Sequence, residues 1–479
     1  MTTRVAGSKM LLAGDWVDRD NKIEVRNPEN NEWIDSVPAA SGSDVQRAIS
    51  LAKEGAEIAA EMSVSERMKV LKNAADYIEK HLEEYARTIA LESSKTIKEA
   101  RKEAGRAADV LRLSAEEARR LTGESINFDQ VAGNEDRMGY YFRFPVGIIA
   151  AITPFNDPLN LVAHKLGPAV AAGNAIIIKP ATETPLSALK LAEAFVEAGL
   201  PKKILTVITG RGRDIGDLLI KSKDIQMISF TGGLETGEKI SNNAGLKKLS
   251  MELGSNSPSI VLEDADLSLA VDATVSGAFG VAGQNCLGVQ RLFIEESVYE
   301  EFKSKFLAKV QSLKMGNKFS EETDMGPLIN EKEAKRVESW VVEAVDLGAK
   351  ILSGGYRDGA FYAPTVLENT PENATIVNEE VFGPVVMLFP VSGLNEAISR
   401  SNNVNFGLQA GIFTENIHAA LKAAKRLHVG GVMINDSSDF RIDAMPFGGV
   451  KGSGLGREGV KYAIKEMSEE RIVCFKISE

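Results

Sequence analysis

The chain has little of several residue types that mark particular classes of protein. Its 479 residues include only two cysteines, Cys286 and Cys474, and four histidines. Two cysteines cannot build a disulfide framework or a cysteine-rich metal site, and no histidines stand at metal-ligand spacing, so we expect no protein-bound metal. Such sparse cysteine is typical of a reducing compartment, and we predict a cytoplasmic protein.

Basic blocks and long apolar runs are also missing. The net charge is −11 and no stretch is rich in lysine and arginine, so nucleic acid is not an expected partner. No run approaches ~18 consecutive apolar residues, and the N-terminal stretch lacks the apolar core of a signal peptide, so we expect neither a membrane span nor secretion. With 44% hydrophobic and 26% charged residues, the composition is that of a globular protein large enough for several domains.

The hydrophobic periodicity predicts an α/β protein. Residues 43–120 have helical spacing, and Ser63 with Glu66 forms a capping-box pattern before one helix. Beyond residue 146, short apolar runs bounded by Gly, Pro or Thr alternate with helical patterns. This alternation predicts a parallel, doubly wound sheet, and a second lobe that meets the first near residue 253. The tail RIVCFKI alternates like a strand with nothing after it to pair with, so we predict pairing with another subunit.

Cys286 lies in GQNCLGVQR, behind Gly283 and two polar residues. A free cysteine is more often buried and inert, but this one looks presented to a ligand. FTGGLETGEKI (230–240) reads as a strand, glycines and a helix, which suits a dinucleotide pyrophosphate or is a plain turn. GLGREG (454–459) matches the dinucleotide fingerprint better by letter, but it follows a loop outside any βαβ unit, so we exclude it.

Three polar residues stand at strand ends. Lys179 in KPATETP is either a ribose or phosphate ligand or a solvated charge. Glu252 lies inside an apolar strand, where desolvation would raise the pKa of its carboxyl and suit it to act as a general base. Asn156 in PFND precedes a helix start, where a simple cap is the alternative role.

Seven motifs occur in one order between residues 154 and 459, namely PFND, KPAT, FTGG, MELGSNSP, GQNC, EEVFGP and MPFGGVKGSGLGREG. Together they resemble the aldehyde dehydrogenase superfamily, essentially end to end. The resemblance implies two doubly wound Rossmann-like lobes and a small β oligomerisation arm. It places a cofactor-binding domain at 1–122 and 142–252, a catalytic domain at 253–453, and the arm at 123–141 and 468–479. It also implies a homodimer or a homotetramer.

The resemblance implies oxidation of an aldehyde to a carboxylate through a cysteine thiohemiacetal and a thioester. Cys286 would be the nucleophile, Asn156 would stabilise the oxyanion with the Cys286 N–H, and Glu252 would activate water. Glu458 would relay protons from Glu252, or be a surface charge. Rival functions are a CoA-acylating dehydrogenase, which the presence of Glu252 disfavours, and a binding protein without activity.

The cofactor implied is NAD⁺ or NADP⁺. The corresponding family positions are Ile152, Thr153, Pro154, Phe155, Lys179, Thr182, Gly210, Phe230, Thr231, Gly232, Gly233, Gly237, Leu253, Gly254, Glu380 and Phe382. Many NAD-preferring members carry Glu where this chain has Thr182, so we predict that NADP⁺ is accepted, unless neighbouring Glu183 compensates. Gly233 replaces a common serine, and small Gly283 is expected to let its loop approach the cofactor.

The substrate signal comes from three residues. Arg106 lies in line with Val110 and Leu113 on a predicted helix, either extending to solvent or pointing into a cavity. It matches an arginine that binds the anionic part of the substrate in two groups of enzymes, the non-phosphorylating glyceraldehyde-3-phosphate dehydrogenases and the phosphonoacetaldehyde dehydrogenases. Arg441 lies near the expected pocket mouth, but Asn285 stands where those enzymes often have a second arginine. We predict a short hydroxylated or anionic aldehyde, such as lactaldehyde, sulfolactaldehyde or glyceraldehyde 3-phosphate; an aliphatic or aromatic aldehyde is the alternative.

Overall fold

Residues 9–477 are described by the structure, a computed structural model, and most of them build two sheets covered by helices. The strands are β1 (Met10–Leu12), β2 (Asp15–Val17), β3 (Lys22–Arg26), β4 (Trp33–Pro38), β5 (Glu124–Ile126), β6 (Arg137–Pro145), β7 (Ile148–Ile152), β8 (Ala175–Lys179), β9 (Leu205–Val207), β10 (Met227–Thr231), β11 (Lys248–Glu252), β12 (Ser257–Val261), β13 (Val289–Glu295), β14 (Lys350–Ser353), β15 (Arg357–Asp358), β16 (Phe361–Tyr362), β17 (Thr365–Glu368), β18 (Val385–Val391), β19 (Gln409–Phe413), β20 (Gly431–Ile434), β21 (Gly454–Leu455) and β22 (Ser468–Lys476).

The helices alternate with strands after the first four, which follow one another between residues 42 and 118. They are α1 (Gly42–Glu61), α2 (Val64–Lys80), α3 (Leu82–Glu92), α4 (Ile97–Ala118), α5 (Asn160–Ala172), α6 (Leu186–Glu197), α7 (Gly212–Lys221), α8 (Leu234–Asn243), α9 (Leu267–Phe279), α10 (Tyr299–Gln311), α11 (Glu331–Asp346), α12 (Thr375–Asn378), α13 (Leu394–Asn402), α14 (Ile417–Arg426) and α15 (Val460–Glu466). The predicted capping box is present at α2, and α1 and α4 begin the same way. No helix within residues 9–477 combines the length and apolarity needed to cross a bilayer.

The first sheet has the strand order β2-β1-β9-β8-β7-β10-β11-β21. Its central strands β9, β8, β7, β10 and β11 are parallel. Side chains alternate between two cores: Ile149 and Ala151 pack with α2, α4, α5 and α6, whereas Ile148 and Ala150 pack with α1, α7 and α8. Helices therefore cover both faces, as predicted for a doubly wound sheet.

The second sheet has the order β14-β17-β18-β13-β12-β19-β20 and is parallel except for β14 at one edge. Its strands also alternate between two cores, with Ile260 in one and Val261 in the other. β11 closes the first sheet at Glu252 and β12 opens the second at Ser257. The predicted fold class, two doubly wound α/β lobes, is confirmed.

The tail forms a strand, as predicted, and this strand pairs within its own chain. β22 pairs antiparallel with β6 over nine residues, and β5 completes this small sheet. Its partner lies more than 300 residues earlier and begins in the segment that the resemblance groups with the tail as one arm. Pairing of the tail with another subunit stays a prediction. GLGREG is outside any βαβ unit, as predicted: β21 is a two-residue strand antiparallel to β11.

Candidate active site

Cys286 follows a turn of unusual backbone conformation. After α9, Val281, Ala282 and Gly283 all have positive φ, at 53°, 54° and 70°. A Cβ at Gly283 would lie 2.2 Å from the carbonyl oxygen of Gly383. Both this close contact and the positive φ therefore require glycine at the position. The backbone of the EEVFGP segment packs against Gly283, and the expected approach of this loop to the cofactor stays a prediction.

Two cavities reach Cys286. One, which we call the groove, has a volume of about 690 Å³, and the other, which we call the charged cavity, about 460 Å³. Asn156, Leu161, Gln284 and Cys286 line both. The predicted nucleophile and the predicted oxyanion donor are thus together where the two cavities meet.

The surroundings of Cys286 hold its thiol in the protonated form. Burial raises the pKa of the thiol well above its usual value, and the Arg441 guanidinium opposes that rise. The carboxylates of Glu380 and Glu252 push the pKa higher. A thiolate must therefore be produced by a nearby base or by a cation brought into the site.

Glu252 and Glu458 form a buried carboxylate pair with opposite tendencies. Neither carboxylate oxygen of Glu252 has a hydrogen-bond partner within residues 9–477, and burial together with the Glu458 charge raises its pKa far above normal. Burial also raises the pKa of Glu458, but Lys165, whose Nζ donates to it at 2.7 Å, and Arg441 more than offset this. The raised pKa makes Glu252 the stronger proton acceptor of the pair, whereas the lowered pKa keeps Glu458 ionised.

Most of the predicted cofactor residues line the groove. They are Ile152, Thr153, Pro154, Phe155, Phe230, Thr231, Gly232, Gly233, Leu253, Gly254, Glu380 and Phe382. Phe382 has a left-handed φ of 44° and its ring meets that of Phe155 edge to face at 5.7 Å. The Glu380 carboxylate accepts the N–H of Ser255 at 2.7 Å, and burial raises its pKa to about 7.

Four predicted cofactor residues are outside the groove wall. Gly210 and Gly237 let helices approach strands, since a Cβ there would meet the side chains of Ile215 and Leu253 at 2.6 and 2.5 Å. Lys179 is buried, donates to the Pro180 carbonyl at 2.9 Å, and has its pKa lowered to about 8 by burial. Thr182 is half-buried after the same strand.

The groove suits a dinucleotide. Gly233 begins α8 without a side-chain cap, and a Cβ there would meet open space, so the first amides of the helix are bare. The buried hydroxyls of Thr153 and Thr231 in the groove wall have no hydrogen-bond partner among residues 9–477. Bare amides at a helix start suit a pyrophosphate, and free hydroxyls suit a polar ligand.

The three predicted substrate residues all line the charged cavity. Arg106 donates to Asp443 through Nε at 3.2 Å and Nη2 at 2.7 Å. Asn285 donates to Asp439, whose pKa is raised to about 6 by burial. The side chain of Arg441 is only 8% exposed and lies 3.7 Å over the Phe447 ring, and its Nε and Nη2 have no hydrogen-bond partner within the described chain.

The charged cavity also contains residues that the sequence analysis missed. Lys95 forms buried ion pairs with Glu103 and Asp157, next to Asn156. Glu103 in turn accepts the N–H groups of Leu159 and Asn160 at 2.8 and 3.0 Å. The available signal was Asp157 inside PFND, a charge beside an amide at a strand end.

His164 is a second missed group behind this cavity. Its Nε2 is 2.8 Å from Asp443, and burial lowers its pKa. Asp443 therefore binds both His164 and Arg106, and these contacts hold its pKa far below normal despite burial. Across residues 9–477, no three His, Cys, Asp or Glu side chains converge in a way that could hold a metal ion.

Comparison with known proteins agrees with this geometry. The sequence model described as "Aldehyde dehydrogenase family" matches residues 16–473. The chain belongs to the aldehyde dehydrogenase family. The predicted family and the predicted class of oxidoreductase are thereby confirmed.

Relatives and solved structures resemble the chain over nearly its whole length. The 3-sulfolactaldehyde dehydrogenase of Priestia megaterium is 46% identical over 475 residues, 99% of each chain. The aspartate-semialdehyde dehydrogenase 1 of Pseudomonas canavaninivorans is 48% identical over 455 residues, 95% of this chain and 97% of its own. The glyceraldehyde-3-phosphate dehydrogenase GapN from Methanocaldococcus jannaschii, complexed with NADP, superposes with a TM-score of 0.93 at 40% identity, covering 96% of this chain and 100% of its own.

Proposed function

We propose that this aldehyde dehydrogenase oxidises a small aldehyde bearing a hydroxyl or an anionic group to the carboxylate, with NADP⁺ or NAD⁺ as hydride acceptor. The main support for this proposal is that Arg441 lines the same cavity as Cys286 and that two nitrogens of its buried guanidinium have no hydrogen bonds among residues 9–477. Its Nη2 makes a long ion pair with Glu458 at 3.8 Å, but two of its nitrogens lack hydrogen bonds within the described chain. Burying such donors is costly, and an anionic ligand would offset that cost. The names of the three proteins compared above also denote anionic aldehydes: a sulfonate, a carboxylate and a phosphate.

Cys286, Asn156 and Glu252 would act in sequence. Cys286 attacks the aldehyde carbon to form a thiohemiacetal, whose oxyanion accepts hydrogen bonds from the Asn156 side chain and the Cys286 N–H. NADP⁺ or NAD⁺, held in the groove, supplies the acceptor for the hydride. Glu252 then takes a proton from the water that attacks the thioester, and the ionised Glu458 beside Lys165 strengthens Glu252 as a base by raising its pKa.

Either cofactor should be accepted. Thr182 places a neutral hydroxyl where a carboxylate would repel a 2′-phosphate. Glu183 is exposed and lines a separate cavity with Asn27 and Glu92, although its charge still acts on the pKa of Lys179. Measured kcat/KM values for both cofactors test this; rejection of NADP⁺ contradicts it.

A substrate panel tests the aldehyde class. We expect anionic and hydroxylated short aldehydes to give higher kcat/KM than hexanal or benzaldehyde. Arg441→Gln should lower kcat/KM for the anionic members roughly 10–100-fold more than for propanal, the value of a charge-assisted hydrogen bond. Propanal reports the loss common to all aldehydes, because Arg441 also lowers the pKa of the Cys286 thiol. Arg106→Gln is the matched control, with a smaller loss, because Asp443 already neutralises that guanidinium. Preference for hexanal or benzaldehyde in the wild type, unaltered by either change, contradicts the proposal.

We also propose a cytoplasmic homodimer or homotetramer, with the three-part domain division expected from the sequence. In support, the small sheet exposes Met138, Phe142, Ile472 and Phe475, and β22 is at its edge with one side unpaired among the described strands. Such an edge favours pairing with a second copy. β6 crosses the proposed boundary at residues 141 and 142, so the arm would extend to the end of that strand. Sedimentation as a stable monomer at micromolar concentration would contradict this assembly.

A further inference from the structure

Helix α4 contacts both halves of the catalytic centre from one face. Glu103 accepts the N–H groups of Leu159 and Asn160, at the start of the helix that follows Asn156. Glu99, four residues earlier and so on the same face, accepts the N–H of Val281 at 2.8 Å, five residues before Cys286. The two carboxylates thus join the oxyanion segment and the nucleophile turn to a single helix.

The nucleophile turn needs such support. Val281 is β-branched and has φ 53° and ψ 33°, a left-handed conformation that β-branched residues strongly disfavour. Its carbonyl oxygen accepts the backbone N–H of Gln284 at 3.1 Å and the Gln284 side chain at 3.0 Å. Its N–H has the Glu99 carboxylate as its acceptor. Both polar groups of the strained residue are therefore fixed, one of them from α4.

The Glu99 carboxylate is itself fixed. Its Oε2 accepts the N–H of Thr96 at 2.8 Å and the Thr96 hydroxyl at 3.0 Å, closing the capping box of α4. One oxygen therefore holds the start of the helix and the other holds the turn. Because its two carboxylate oxygens bind the helix start and the turn, the Glu99 side chain couples the position of the turn to that of the helix.

We propose that Glu99 is a positioning residue that sets the turn carrying Cys286 relative to Asn156. The proposal rests on the proposed function, in which Cys286 and Asn156 act on the same carbonyl group. Small displacements of such groups are expensive: about 1 Å can cost roughly 100-fold in rate.

Glu99→Asp separates positioning from helix capping. Asp44 forms the same capping box at the third position of α1, so an aspartate at 99 can keep the cap. Being one methylene shorter, it cannot also reach Val281. The matched control is Glu66→Asp in α2, where the exposed Glu66 closes an identical box and contacts no catalytic loop.

We expect Glu99→Asp to lower kcat about 10-fold or more, while the KM for the cofactor and the Tm stay within the range of Glu66→Asp. A merely structural role would lower Tm without this selective fall in kcat. If kcat of Glu99→Asp matches that of Glu66→Asp, or if kcat falls only in proportion to a lost folded fraction, the proposal is wrong.

Alkylation of Cys286 by iodoacetamide gives a readout that does not depend on the substrate. It is measured without cofactor in a Cys474→Ser background, because Cys474 is exposed. We expect the loosened turn of Glu99→Asp to expose the thiol and react several-fold faster, with Glu66→Asp unchanged. Unchanged alkylation overturns the positioning role. A wild type without aldehyde oxidation would instead overturn the proposed function and leave this comparison valid.

Discussion

The groove and the charged cavity meet at Cys286 but are built in different ways. The groove wall is made largely of strand ends, glycines and apolar side chains from contiguous motifs. The charged cavity has ionisable side chains from α4, the Asn156 segment and residues 436–441, and several of its ion pairs join residues far apart in the sequence. Under the proposed function, the common reaction is therefore encoded in local motifs, whereas the choice of aldehyde depends on pairs of charges that no single motif contains.

The largest effect should come from the residue that both cavities share. Cys286→Ala removes the nucleophile, and we expect aldehyde oxidation to fall by about 10⁴-fold or more. Because the groove keeps its bare amides and its walls, the dissociation constant for NADP⁺, measured by fluorescence, should change little. Asn285→Ala, one residue away, is the control and should retain measurable turnover. Oxidation that survives in Cys286→Ala would rule out the covalent mechanism.

A smaller effect should come from the base at the junction. Glu252→Gln keeps the shape of the side chain but cannot accept a proton, so we expect kcat to fall about 10²–10⁴-fold. Thioester formation should persist as a burst of reduced cofactor, since Cys286 remains.

The pH dependence of kcat tests whether Glu252 acts as a base. The raised pKa of Glu252 means that the carboxyl is protonated below that pKa and inactive as a base, so wild-type kcat should rise with pH through it. Glu252→Gln should lose that acidic limb. If the limb remains in the variant, another group provides the titration.

The smallest effect should come from the cofactor side of the comparison. Thr182→Glu adds a negative charge after β8, and we expect kcat/KM for NADP⁺ to fall about 10-fold, the scale of one charge repulsion at a solvated site. The kcat/KM for NAD⁺ should be unchanged or higher. Glu183→Gln is the neighbouring control and should affect both cofactors alike, because Glu183 is exposed in another cavity. Equal losses with both cofactors for Thr182→Glu would remove Thr182 from cofactor selection.

The sequence predicted which residues line the two cavities better than how the residues of the charged cavity are paired. Glu252 was recognised because one acidic residue in an apolar strand is conspicuous, and its burial follows from the strand alone. The partner of Arg106 could not be predicted, because Asp443 is 337 residues away and only the fold brings them together. For β22 and β6, the resemblance grouped 123–141 with 468–479 in one arm, but only the fold shows the nine-residue antiparallel register between the two strands.

The left-handed turn was missed for another reason. Val281 and Ala282 are not residues that indicate positive φ, and hydrogen bonds from Gln284 and to Glu99 hold Val281 in this conformation. Local propensity therefore gives the wrong conformation where tertiary contacts override it.

The two cavities share four lining residues around Cys286, and beyond these each has its own lining. Under the proposed function, the aldehyde and its carboxylate would therefore use the charged cavity while the cofactor fills the groove. No shared passage then fixes the order in which the two products leave, and their separate dissociation rates set it. Arg441→Gln would change both the departure of the carboxylate and the reactivity of Cys286, because the guanidinium lowers the pKa of that thiol.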